Sequence, residues 1–286
     1  MNELPSYLID IGMHLFKTRE RLTEFVNKID NPKNISIEGC QMLLAQAKGD
    51  EGVANLKSEF AGRDGYGLKN FQQNSTGLMI DIGSNIGAIS IYFAKQFPKW
   101  RVFSFEPIPT TYFISLYNVY LNNITRLPFS FHHEHVHDHR SMHHLSGISS
   151  SNCGVGAIDD VVEFKYLDEK SQVATQSKGG DVGDWHRVNT TILSISKLLS
   201  KISLNTATID FIKVDCEGCE FDLFPAMSKY LVNKTFIKHL GAEIHQTLIY
   251  PKTVTFAPKP SKDQVTKTFS ALQARGCNPY QWQISC

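Results

Sequence analysis

The chain carries no surplus of either charge and no long apolar run, and both lacks narrow its function. Lys+Arg number 29 against 28 Asp+Glu over 286 residues, so no net field draws it to nucleic acid or to an anionic membrane. No stretch approaches the ~20 apolar residues that a membrane-spanning helix needs. The opening residues, MNELPSYLIDIGMHLFKTRERL, bring charge in early and read as neither secretory signal nor anchor. Cysteine is sparse: Cys40, Cys153, Cys216, Cys219, Cys277 and Cys286 are scattered, and a chain of this length does not depend on disulfide staples. There is no internal repeat. A cytoplasmic globular protein is therefore expected. Without a secretory route, the N-x-[ST] triplets at Asn34, Asn74, Asn123, Asn189 and Asn233 read as chance strings.

What is present is ordinary for a globular fold: 42% hydrophobic and 20% charged residues. Over residues 1–60 the apolar positions fall at helical spacing: Leu8, Ile11, Leu15 and Phe16, then Leu22, Phe25 and Val26, then Met42, Leu43 and Leu44. Two or three helices are expected there, forming an N-terminal cap over 1–70. The turn-rich stretch 61–67 joins it to a main domain over 71–286. From residue 78 the rhythm changes to short apolar runs alternating with amphipathic stretches. Strands are expected at 78–83, 101–106, 148–156, 210–215 and 236–245, with helices at 86–97, 109–122, 194–202, 219–231 and 262–275. Such alternation predicts an α/β fold, a mostly parallel sheet with helices on both faces. Val161–Leu167 is a candidate antiparallel strand.

Seven of the eleven histidines lie within His132–His144, in an apparent insertion near 130–147. In an extended segment His133, His135, His137 and His139 share one side, a row that would attract zinc, nickel or copper. A loop of this kind offers little support for a fixed metal geometry, so it reads as a solvated polar segment and no metal site is expected.

Leu78-Met-Ile-Asp-Ile-Gly-Ser-Asn-Ile-Gly87 is a buried strand running into D-x-G-x-x-x-G and then a helix. Gly83 permits a sharp turn and close backbone approach to a ligand. The following helix aims free amide groups at the same crevice, suiting a carboxylate or phosphate. Asn85 stands where a dinucleotide fingerprint has its second glycine, which disfavours a nicotinamide oxidoreductase. Asp81 places a carboxylate behind the loop, better matched to an ammonium than to a phosphate. Nineteen residues after Gly87 the next strand ends in Glu106, an acceptor for both ribose hydroxyls of a nucleoside. S-adenosylmethionine, with ammonium, carboxylate and ribose, meets all three demands. Asp81, Gly83, Ser84, Asn85, Gly87, Glu106 and Gly156 are the candidate cofactor residues.

The chain resembles the FkbM-type methyltransferases over roughly residues 77–250. The likeness rests on Ile80-Asp-Ile-Gly-Ser-Asn-Ile-Gly87, on Phe105-Glu-Pro107 with Asn118 and Asn122 following, and on Val155-Gly156. It continues through Thr190-Thr-Ile-Leu193, Ile209-Asp-Phe-Ile-Lys-Val-Asp-Cys-Glu-Gly-Cys-Glu220 and Glu243-Ile-His245. The resemblance implies a class I methyltransferase fold and methyl transfer from S-adenosylmethionine, usually to a hydroxyl of a small-molecule or carbohydrate-like acceptor. A catalytically silent binding module on the same fold is the alternative. Ile108 replaces a residue that is often polar in the family, and the histidine insertion has no family counterpart.

Asp215, Glu217 and His245 end two of the expected strands, on the sheet edge shared with Gly83 and Glu106, and are the candidate catalytic residues. A hydroxyl acceptor must lose a proton, and a base within hydrogen-bond reach assists. His245 has a suitable ordinary pKa, with Asp215 or Glu217 to orient it or to serve instead. Glu220 is read as a helix cap. Cys216 and Cys219, set among acids that disfavour a reactive thiolate, are read as two small buried residues. The acceptor pocket is expected from the N-terminal cap and the loop 168–188, which carries Trp185 and His186.

Overall fold

The computed structural model describes residues 4–59, 66–72, 75–127, 146–167, 170–176, 186–203, 208–245, 260–280 and 283–286. The histidine run and Trp185 lie outside them. In chain order the elements are α1 (Ser6–Phe16), α2 (Arg19–Asn27), β1 (Lys33–Ile37), β2 (Cys40–Leu44), α3 (Gly52–Glu59), β3 (Gly77–Ile82) and α4 (Ala88–Gln96). β4 (Trp100–Phe105), α5 (Pro109–Leu121), β5 (Gly147–Ser151), β6 (Gly154–Gly156), β7 (Asp160–Leu167), β8 (Lys170–Gln176) and β9 (His186–Ser194) follow. α6 (Ile195–Ser203), β10 (Ile209–Val214), α7 (Glu220–Leu231), β11 (Ile237–Glu243), α8 (Lys262–Arg275) and β12 (Gln283–Ser285) complete the chain.

The central sheet has the order β12-β11-β10-β3-β4-β5. All its pairs are parallel except β11 with the edge strand β12. Its central strands β10, β3 and β4 are largely apolar on both faces because both are covered. Along β3, Leu78, Ile80 and Ile82 enter a core with α6, α7 and α8, while Met79 enters another with α1, α2, α4 and α5. Strand order reverses between β3 and β10, and the crevice at that switch is where an open α/β sheet receives ligands. A second sheet, β6-β9-β7-β8, lies apart from the first; β7 is antiparallel to both β8 and β9, as expected for 161–167.

Three expectations need correction. Residues 40–44 form a strand, not a helix. Ile35 and Ile37 alternate with exposed neighbours, as Cys40, Met42 and Leu44 do on the partner strand, a period of two. Glu38 (φ 46°) and Gly39 (φ 80°) supply the left-handed pair that a two-residue hairpin turn requires. The stretch 148–156 is two strands in different sheets. Asn152 marks the break, its Nδ2 donating to the Glu106 and Pro107 carbonyls at 3.0 Å each. Lastly, the cysteines are not all free: Cys216–Cys219 and Cys277–Cys286 are disulfides, and only Cys40 and Cys153 remain as buried thiols.

The N-terminal segment shares the core beneath α4 and α5, with Leu8, Leu22 and Phe25 packed in one cluster with Phe113. Two asparagines of α5 latch it in place. Asn118 accepts from the Ala45 amide (2.7 Å) and donates to the Ala45 carbonyl (3.0 Å) and the Ile86 carbonyl (2.9 Å). Asn122 treats Leu43 likewise, at 3.0 and 2.7 Å. In α7, Pro225 cannot donate to the Phe221 carbonyl. Thr268 of α8 donates to that carbonyl instead, at 3.3 Å, so the helix pair absorbs the break. A capping box at Ser261 and Gln264 starts α8, and left-handed Gly276 ends it. No helix among the described residues is long and apolar enough to cross a membrane.

Candidate active site

The glycine turn sits at the switch point because its neighbour strand leaves no room for a side chain. A Cβ on Gly83 would lie 1.8 Å from the Asp215 carbonyl oxygen, and its φ of +73° is itself unfavourable for other residues. The turn is tied to both flanking strands. The Gly83 and Ser84 amides donate to the Phe105 carbonyl at 3.0 Å each, and the Asp215 amide donates to the Ile82 carbonyl at 3.0 Å. Asn85 takes φ 51°, Gly87 φ 82°, and α4 begins directly afterwards.

Glu106 lies 6% exposed at the end of β4. Its Oε2 accepts from the Asn85 amide and its Oε1 from the Ile108 amide, both at 2.9 Å. These amides fix the carboxylate beside the glycine loop. Burial pushes its pKa up to about 7, against the pull of both amides. Ser84 Oγ is buried with no hydrogen-bond partner among the described residues, a group that a ligand's polar atom would satisfy. The loop, the α4 N-terminus, Ser84 and Glu106 thus fit the polar ends of a nucleoside bearing an amino acid. Asp81 is placed differently from the sequence expectation. It is fully buried, accepts from Ser90 Oγ at 2.6 Å and faces Lys213 Nζ at 3.4 Å. Gly156 stands in the second sheet, where a Cβ would meet Ile192 Cγ2 at 2.7 Å; packing accounts for its lack of a side chain.

Lys213 is the centre that sequence reasoning missed, although a lysine inside the apolar run Ile-Asp-Phe-Ile-Lys-Val is a signal. It is 3% exposed. Its Nζ donates to the Gly83 carbonyl at 2.7 Å and lies 3.4 Å from Asp81 Oδ1 and 3.3 Å from Asp215 Oδ2. Burial alone would favour neutral lysine, but Asp215 and Asp81 outweigh it and raise its pKa. One ammonium therefore joins the cofactor turn to the candidate catalytic acid. Tyr66, from the turn-rich linker, also carried no sequence signal; its hydroxyl is within hydrogen-bond distance of Asp215 Oδ2 (3.1 Å) and Glu243 Oε2 (3.3 Å).

Asp215, Glu217 and His245 do come together. His245 Nε2 is 3.7 Å from Asp215 Oδ1, 3.6 Å from Glu217 Oε2 and 3.6 Å from Glu243 Oε1. Glu220 orients the ring: its Oε1 lies 3.1 Å from Nδ1 and accepts the His245 amide at 2.7 Å, while its Oε2 accepts from the Gly218 amide at 2.9 Å. It does more than cap α7. Four carboxylates around one imidazole change the chemistry expected of it. Burial would lower the His245 pKa, but Glu220, Glu217 and Asp215 raise it well above its ordinary value. That shift favours the protonated form of the ring. Burial likewise opposes ionisation of Asp215, yet Lys213 and His245 outweigh it and lower its pKa. Glu217 goes the other way, with burial raising it to about 7 despite His245. Its side chain is 35% exposed, which leaves it open to an incoming acceptor. Asp215, Glu217 and His245 offer ligand atoms within 4.8 Å of one another, a spacing a divalent ion could bridge.

The disulfide Cys216–Cys219 closes the loop bearing Glu217, which holds φ 53° beside Gly218 at φ 108°. The family model described as "Methyltransferase FkbM domain" matches residues 81–257, more than half the chain. The chain belongs to the FkbM methyltransferase family. Its cofactor is S-adenosylmethionine, and the site already described fits that molecule. Among curated relatives, Methyltransferase 1 of Beauveria bassiana is 22% identical over 174 residues, 55% of this chain and 60% of that protein. Methyltransferase sdnD of Sordaria araneosa is 22% identical over 189 residues, covering 57% and 64%. This FkbM chain thus spans about three-fifths of the length of those relatives. Solved structures include Methanococcus jannaschii fibrillarin pre-rRNA processing protein, 13% identical with TM-score 0.37, covering 89% of this chain and 80% of that one. Aeropyrum pernix fibrillarin with natively bound S-adenosyl-L-methionine is 10% identical with TM-score 0.38, covering 89% and 80%. These two likenesses are too distant to bear on the chemistry here.

Proposed function

We propose that this chain transfers a methyl group from S-adenosylmethionine to a hydroxyl oxygen of a small-molecule or carbohydrate-like acceptor. The observation that carries the reading is the convergence of Asp215, Glu217 and His245 beside the glycine turn, bridged to it by buried Lys213. Bound S-adenosylmethionine supplies an already activated methyl group, so positioning of the acceptor is the main demand on the protein. The loop residues Gly83, Ser84, Asn85 and Gly87 would hold its amino-acid end, and Glu106 its ribose hydroxyls. Asp81 would act through Lys213 and the turn. Gly156 would border the cofactor from the strand carrying Val155, whose carbonyl is 3.6 Å from Cys219 Sγ.

Glu217 is the proton acceptor in this scheme. Its pKa of about 7 matches neutral operating conditions, and its partial exposure lets a hydroxyl approach. His245, kept cationic by its acids, stabilises the ionised Glu217 and Asp215. The paired cysteines speak against a cytoplasmic setting.

Calorimetric titration tests the cofactor half. Wild type should bind S-adenosylmethionine and not NAD, and Glu106→Ala should lose most of that affinity. Transfer of labelled methyl to a panel of sugars and other alcohols tests the catalytic half. Glu217→Gln, Asp215→Ala and His245→Ala should lose transfer yet keep cofactor binding. Full activity in all three would mean that the reaction lies elsewhere, and cofactor binding with no transfer by wild type would favour a silent binding module.

A further inference from the structure

Two features that the proposed reaction does not use point to one setting. The first is thiol chemistry. Four of the six cysteines are paired, and the two that remain free are buried. Cys216, Cys219 and Cys286, each partly accessible, are all oxidised. Cys277–Cys286 joins the end of α8 to the residue after β12, the antiparallel strand at the sheet's edge. Cytosolic thiols are held reduced, whereas disulfides form and persist in oxidising lumens.

The second is the surface placement of asparagines, and it is independent of the first. Four N-x-[ST] triplets lie wholly in described residues: Asn34-Ile-Ser36, Asn123-Ile-Thr125, Asn189-Thr-Thr191 and Asn233-Lys-Thr235. In each, both the asparagine and the hydroxyl residue are exposed. Two of them lie within strands, β1 and β9, where residues i and i+2 share a face. There the middle residues Ile35 and Thr190 turn inward and present the pair outward together. Asn123 and Asn233 follow α5 and α7, in helix-to-strand connections at the sheet edge opposite the candidate site. Asn233 Oδ1 already accepts from Thr235 Oγ1 at 2.6 Å. Asn118, Asn122 and Asn152, whose side-chain nitrogens hold backbone carbonyls, head no triplet; Asn233 Oδ1 also accepts from the Thr235 and Phe236 amides at 3.1 and 3.2 Å, through its oxygen and not the nitrogen that would be modified. A bulky hydrophilic glycan needs such exposed positions.

We propose that this chain matures in an oxidising secretory lumen and carries N-linked glycans on Asn34, Asn123, Asn189 and Asn233. In that modification the asparagine amide nitrogen bonds to the anomeric carbon of an oligosaccharide. The bond from that carbon to a lipid pyrophosphate breaks, the pyrophosphate leaves, and the amide gives up one proton. Each disulfide forms as two thiols lose two electrons and two protons to a disulfide-exchange oxidant of the lumen.

The test uses the full chain recovered from the cells that make it, quenched in acid and alkylated in denaturant. Peptide masses are then compared before and after peptide N-glycosidase in heavy-oxygen water, which separates enzymatic release from spontaneous deamidation. The expected result is two alkylated cysteines, Cys40 and Cys153, rising to six after reduction, with glycan release at the four named asparagines. Release at only some of them supports the route and strikes out the unmodified sites. Six alkylated cysteines without reduction, or no release at any of the four, overturns the proposal.

Discussion

Removing the Lys213 ammonium tests whether the cofactor turn and the acid cluster are one electrostatic unit. In Lys213→Met the stem is retained and the charge lost, leaving Asp81 Oδ1 buried with neither an ion pair nor a hydrogen bond among the described residues. Breaking a buried pair by deleting one partner costs ~3–5 kcal/mol. The upper half of that range applies, since Asp81 is 0% and Lys213 3% exposed and the Gly83 carbonyl loses its donor as well. Against a typical total of about 5–15 kcal/mol, the variant should lie near the edge of folding. Its melting temperature should fall by roughly 10 °C. Guanidinium unfolding followed by the fluorescence of buried Trp100 measures the loss. Asp81→Asn alone should also destabilise, by stranding the lysine on one side. Combined, the two should cost ~1–3 kcal/mol less than their sum, because neither leaves the other's charge uncompensated. A loss below ~1 kcal/mol for Lys213→Met, or strict additivity, would refute the reasoning.

Three further outcomes follow from the same geometry. Glu106 titrates near 7 because burial opposes its charge, and ribose hydroxyls prefer the ionised form. S-adenosylmethionine affinity should therefore weaken about tenfold per pH unit below 7 and level off above it; calorimetry from pH 6 to 8 that finds no change would contradict this. The unliganded fold has the opposite dependence on this group, whose contribution is full below its ordinary value of 4.5 and is lost as pH rises through about 7. Gly83→Ala must place a methyl against the Asp215 carbonyl at a positive φ, costing ~2–5 kcal/mol and abolishing cofactor binding, as thermal melts with and without S-adenosylmethionine would register. Asn118→Ala frees the Ala45 amide and the Ala45 and Ile86 carbonyls, costing ~3 kcal/mol. Limited proteolysis should then release the N-terminal segment well before it cuts elsewhere.

Much of the sheet could be read directly. β3, β4, β10 and β11 are short, largely apolar stretches in sequence because most of their residues are buried, and each lies within two residues of its expected bounds. The glycine turn and Glu106 were legible for a related reason: a tight turn and an acid at a strand tip are local features. The N-terminal hairpin was not, since Met42, Leu43 and Leu44 fit a helical stripe as well as a strand. Only pairing with β1 decides between them. The break at Asn152 was equally hidden, because it depends on carbonyls about 45 residues away.

The sequence by itself determined the strand–turn–helix, the family and the identity of the acids at the carboxyl edge, because composition and spacing along the chain encode them. The tertiary structure decided what those residues are chemically. Burial pulls the His245 pKa down, and it is raised only because Glu220, Glu217 and Asp215, from a strand end, the loop after it and a helix, meet around the ring. Lys213 becomes the bridge between turn and acids only when β10 lies beside β3. Cysteines 277 and 286 pair only because β12 returns along the sheet edge next to β11. In each case the deciding interaction joins residues distant in the chain, and its strength depends on burial that only the folded core provides.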